Sequence, residues 1–168
     1  MRIASLMVAL IGTLLAASMG ALAQERYTLK RDDPPIGSNI KRDAAIGRLP
    51  LNKSYGDLTP EQQLIVKAPY ASMGEGDEPP FPEKGLASIY KAMHTIHGYI
   101  YEDGAIDMEV VVDRDGKPLN VLVYKTPDAR ASETMALVLM STKFKPALCG
   151  GKPCQQNFLF RAELTHER

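Results

Sequence analysis

The sequence predicts an α+β fold in which two helices pack on a small three-stranded antiparallel sheet, in the order helix, strand, strand, helix, strand. Apolar residues recur at three- and four-residue spacing in two stretches and at every second residue in three others. An Asp-Gly turn joins the first two alternating runs. All five stretches follow Pro82, where prolines thin out: 8 of the 12 prolines come before residue 83.

The first helix is marked by Leu86, Ile89, Tyr90, Met93 and then Ile96 or His97, one apolar stripe. Gly98 stands where a left-handed C-terminal cap is expected. Ile106, Met108, Val110 and Val112 then alternate with Asp107, Glu109, Val111 and Asp113, which predicts a strand with one buried face and its acids on the solvent side. Arg114-Asp115-Gly116-Lys117 supplies the hairpin turn, and residues 119–126 return as a second strand. Thr126-Pro127-Asp128 opens the second helix, with Met135, Val138, Leu139 and Thr142 toward the core. Residues 144–154 read as an irregular connector. Residues 155–164 form the last strand, with Phe158, Phe160, Ala162 and Leu164 on one face and Leu159, Arg161 and Glu163 on the other.

The chain divides into a signal segment at 1–23, an extended Pro-containing arm with one short helix at 24–81, and the α+β domain at 82–168. The arm shows no sustained period from 24 to 52, and residues 74–82, rich in Gly and Pro, form a loop. Its short helix is signalled by Thr59-Pro60-Glu61-Gln62, a capping hydroxyl, a proline at the first helical position and Gln three residues after the cap. The residue before Pro69 leaves that helix.

Segment 1–23 pairs Arg2 with an apolar run and ends Ala21-Leu22-Ala23, the pattern of a cleavable secretory signal. The expected compartment is the periplasm, with an inner-membrane anchor as the alternative if the segment stays uncleaved. Cys149 and Cys154 flank Gly150-Gly151-Lys152-Pro153, and in an oxidising compartment they are expected to bond to each other. Lys+Arg 20 against Asp+Glu 20 gives a formal charge of +0, without the basic excess that a nucleic-acid partner requires.

The run Val111-Val112-Asp113-Arg114-Asp115-Gly116-Lys117-Pro118, then Val121-Leu122-Val123, a helix, Phe144-Lys145-Pro146-Ala147 and Gly151-Lys152-Pro153 resembles the C-terminal domain of TonB-type energy transducers. The similarity covers 86–164 and rests on three short motifs in order: V-D-x-D-G, F-x-P-A and G-x-P. It implies two helices on a three-stranded antiparallel sheet that binds extended peptide segments of outer-membrane receptors at a sheet edge. That edge maps onto the last strand, with Gln155, Gln156, Asn157, Leu159, Arg161 and Glu163 as the binding residues. Family transducers keep an N-terminal membrane anchor and a long Pro-rich rod; here the apolar segment ends in a cleavage-like Ala-Leu-Ala and the prolines are scattered. The function expected is therefore an exported protein- or peptide-binding module at the cell envelope. The alternative is a membrane-anchored transducer coupled to outer-membrane receptors. The partner expected is an envelope protein or extended peptide, an outer-membrane receptor among them, with membrane contact only through an uncleaved N-terminal segment.

No enzyme is expected, and no cofactor or metal. His94 and His97 share a helix face, but two ligands do not make a site and the helix C-terminus favours histidine in any case. Asp113-Arg114-Asp115-Gly116 lacks the third carboxylate and distant Glu of a calcium loop. Asp107 and Glu109 are spaced like paired catalytic acids and are read as surface acids. Ser88, Ser132 and Ser141 lie in helical patterns without a nucleophile elbow.

Overall fold

The computed structural model describes residues 49–100 and 102–165, together with a short strand at 27–29. The signal segment 1–23, its cleavage site and most of the arm before residue 49 lie outside the described residues. The elements run β1 (Tyr27–Leu29), α1 (Pro60–Lys67), β2 (Phe81–Pro82), α2 (Ala87–His97), β3 (Gly104–Val112), β4 (Pro118–Lys125), α3 (Ala129–Ser141), β5 (Phe144–Lys145), β6 (Ala147–Cys149), β7 (Lys152–Cys154) and β8 (Gln156–Leu164). A 3-10 turn at Tyr55–Asp57 precedes α1. The fold is α+β with antiparallel sheets, as expected, but three helices and additional strands enlarge the predicted set.

The main sheet has the order β1-β4-β3-β8. β3 pairs antiparallel with both β4 and β8, while β1 adds in parallel to β4, so the three-stranded sheet gains a fourth strand. The stretch 144–154 is not irregular: β5 pairs with β2, and β6 and β7 form a hairpin closed by the Cys149–Cys154 disulfide. That bond spans a Cα–Cα distance of 5.9 Å. Among the described residues no helix is long and apolar enough to cross a membrane.

α1 starts as its sequence dictates. The Thr59 hydroxyl accepts from the Gln62 N–H, and the Gln62 side chain accepts from the Thr59 N–H at 3.0 Å. α3 is capped by Asp128, whose carboxylate accepts from the N–H groups of Arg130 and Ala131. Gly98 differs from the expected left-handed cap: its φ of −68° is right-handed, and its N–H bonds back to Thr95 and Ile96 carbonyls. The turn continues the helical sense here, so the glycine's freedom is unused.

The V-D-x-D-G turn is held from within. Asp113 accepts from the N–H groups of Asp115 at 2.9 Å and Lys117 at 2.8 Å. Gly116 adopts φ +80°, and its carbonyl accepts from the Phe144 N–H at 3.2 Å. Two motifs that are 28 residues apart in the chain thus meet, and this close approach excludes a side chain at residue 116.

The core lies between the sheet and the helices. Ile106, Met108, Val110 and Val112 of β3 meet Ile89, Met135 and Leu139 from α2 and α3, all essentially solvent-free. Tyr55, Leu58, Val66 and Phe81 belong to the same cluster. The arm, expected to be extended and poorly packed, is in its described part packed on the domain from residue 49 onward. Lys145 adds a clamp: its ammonium pairs with Glu78 at 3.0 Å and lies 5.0 Å from the Tyr55 ring centroid. Burial, with the Glu78 charge in support, pushes the Tyr55 hydroxyl up to about 12.

Loop 74–78 grips the disulfide hairpin. The Asp77 carboxylate accepts from the N–H groups of Gly150 at 2.6 Å and Gly74 at 2.7 Å, while Glu78 and Leu148 exchange backbone bonds. Those two N–H donors, Gly150 foremost, hold the Asp77 carboxyl below the usual carboxylate range. A lowered native value means that the contribution is complete above the ordinary range and is lost as pH falls through the lowered one. In an acid titration followed by NMR, the Gly150 amide should report a midpoint below that of an unperturbed aspartate; an ordinary midpoint would contradict the staple. Gly116→Ala should cost at least about 2 kcal/mol in denaturant unfolding, because residue 116 combines a left-handed φ with backbone contact. Cys149→Ser should cost about 2 kcal/mol with the fold retained.

Candidate functional site

Strand β8 lies at the outer edge of the main sheet, paired on one side with β3. Its register is continuous, from Gln156 opposite Val112 to Leu164 opposite Gly104. Backbone groups of a strand point alternately toward its two neighbours, so half of those on β8 face away from β3. The Tyr70 hydroxyl identifies which half: it donates to the Asn157 carbonyl at 2.9 Å, from outside the ladder. The outward set is therefore residues 157, 159, 161 and 163. Tyr70 is buried, and burial raises its hydroxyl well above the usual range while a hydrogen bond from the Leu159 backbone opposes the rise. One phenol thus engages the Asn157 carbonyl and the Leu159 backbone together, in the place where a neighbouring strand would bond.

Five of the six expected binding residues lie on this strand and Gln155 directly precedes it, but they do not share one environment. Gln155 precedes β8 and is exposed, whereas Gln156 is half-buried. Asn157 turns its amide inward and donates to the Glu109 carboxylate at 2.8 Å. Leu159 is buried under Tyr70 and Met73. Arg161 is half-buried and pairs with Asp107 at 3.4 Å. Glu163 is exposed, with Ala105 as its register partner on β3. Among the described residues, no backbone group pairs with the outward side of the C-terminal end of β8, at Arg161 and Glu163.

Asp107 and Glu109 correct the sequence reading. They were expected on a solvent-facing side and are instead 3% and 1% exposed. Glu109 accepts from the Asn157 amide and, at 3.4 Å, from the Tyr124 hydroxyl; Asp107 faces Arg161. Buried acids persist where such donors replace water. The face of β3 away from α2 and α3 is thus a second packed layer. Its signal was present in Val111, Leu122, Tyr124 and Leu159, apolar side chains too numerous for a solvated face. Tyr70 carried no such signal, since a single tyrosine after a helix-ending proline belongs to no period.

His94 is exposed near the end of α2 and His97 half-buried, and among the described residues no group of three or more His, Cys, Asp or Glu is placed to hold a metal. Compared with known proteins, the chain matches no family model, no curated protein and no solved structure.

Replacing Tyr70 with Phe removes the edge contact and keeps most of the apolar packing. Tyr70→Phe should cost about 1 kcal/mol and accelerate amide hydrogen exchange at Leu159 by more than at Phe158 or Phe160. Uniform acceleration along β8 would show that Tyr70 supports the strand only through packing.

Proposed function

We propose that this protein is an exported peptide-binding module, not an enzyme, which takes an extended segment of a cell-envelope protein onto the edge of β8. The observation that carries the proposal is the edge position of β8, with the outward backbone groups of Arg161 and Glu163 beyond the reach of β3. A strand added there gains main-chain hydrogen bonds with modest dependence on its sequence. The Cys149–Cys154 disulfide suits an oxidising compartment, in keeping with the signal-like segment at 1–23. The resemblance to TonB-type C-terminal domains supports the same edge and suggests an outer-membrane receptor segment as the partner class.

Peptides selected from a random display library against the folded protein test this function. Binders should protect the amides of Arg161 and Glu163 from exchange. Glu163→Pro, which removes an outward donor at an exposed position, should lower their affinity at least tenfold with the fold intact. Binders that protect other surfaces and tolerate Glu163→Pro would overturn it. Mass spectrometry of the chain from the envelope should give Gln24 as the N-terminus; an intact Met1 in the membrane fraction would favour an anchored transducer.

A further inference from the structure

Beside the β8 edge lies a cavity of about 40 Å³. It is lined by Leu49, Val66, Tyr70, Leu86 and Tyr90 together with the consecutive residues 158–161. Side chains at 158 and 160 point to one face of the strand and those at 159 and 161 to the other. A cavity touched by all four lies at the strand's margin, where an added strand would run. Its lining is apolar apart from the tyrosine hydroxyls and the Arg161 head group, so it favours a hydrocarbon group over water. The volume exceeds that of one water-sized probe and suits a small aliphatic side chain.

We infer that this cavity is a subsite for one aliphatic side chain of the added strand, in register with Phe160, and that Glu163 selects a basic residue three positions away. The inference rests on the β8-edge reading above. Cross-strand neighbours share a face, so the residue opposite Phe160 points toward the helices and the cavity, and the residue opposite Glu163 points the other way. Glu163 is exposed and meets only Ala105 in the β3 register, which leaves its charge available to an incoming cation. The Tyr70 hydroxyl, engaged with the Asn157 carbonyl and the Leu159 backbone, ends the pairing just beyond the residue opposite Phe160. The segment that fits is short, extended, and carries a basic and an aliphatic residue three apart.

The test uses the full chain and the blocked peptide Thr-Lys-Thr-Thr-Val-Thr, with affinity read by calorimetry and contact by amide exchange. Binding should protect Arg161 and Glu163. Changing the peptide's valine to alanine should weaken it about tenfold, and changing its lysine to glutamate about fivefold. Leu49→Phe, which fills the cavity from its half-buried wall, should make the valine and alanine peptides equal while protection of Arg161 and Glu163 persists. Equal affinities for the two peptides on the unaltered protein, with the edge still protected, overturn the subsite and leave the edge reading standing. A valine preference that survives Leu49→Phe also overturns the subsite. Absence of binding and of protection at Arg161 and Glu163 overturns both.

Discussion

The central strand β3 is buried on both faces, and the rest of the molecule is arranged to satisfy it. Its apolar side chains need the α2–α3 layer, while Asp107 and Glu109 on the reverse need cover that brings hydrogen-bond donors. Antiparallel sheets commonly leave one face to water. Here Asn157, Tyr124 and Arg161 supply donors to the acids, and Tyr70 and Leu159 supply apolar cover alongside. The segment from residue 49 to Pro82 cannot be a loose tether under this constraint, since it delivers Tyr55, Leu58, Val66 and Tyr70 to the two clusters.

Much of the fold was legible because its signals are local. The Thr59 capping box, the helix start at Thr126-Pro127-Asp128, the Gly116 turn and the existence of strands β3 and β8 are each set within a few residues, and the structure realises all of them. The disulfide was legible from the five-residue separation of its cysteines and the turn between them. Nonlocal pairings were not: β1 on β4, β2 on β5, and the grip of Asp77 on Gly150 join residues whose contact no period encodes. The solvent side of β3 was misread for a related reason. Alternation separates two faces but does not say whether the polar face meets water or a second layer.

The candidate site was legible at the level of the strand and not of its individual residues. Five of the six residues from Gln155 to Glu163 lie on β8, yet Asn157, Leu159 and Arg161 already have partners in Glu109, Tyr70 and Asp107. Natural sheets guard free edges with charges or with covering segments. β8 carries both, Tyr70 over its first half and the exposed Glu163 near its end. Such protection narrows the length of strand that can be added, and it turns a generic edge into a short one with a defined stop.

The alternation along β8 bears the whole account of the site. Residue-resolved amide hydrogen exchange of the free protein reads it directly, because inward and outward N–H groups of one strand differ in protection. Phe158, Phe160 and Ala162, opposite Val110, Met108 and Ile106, should exchange slowly through their bonds to β3. Arg161 and Glu163 should exchange fast, with Leu159 slower than either beside the Tyr70 hydroxyl. Protection at Arg161 and Glu163 as strong as at their neighbours would mean that the edge is already occupied in the free protein, and would contradict an open binding strand.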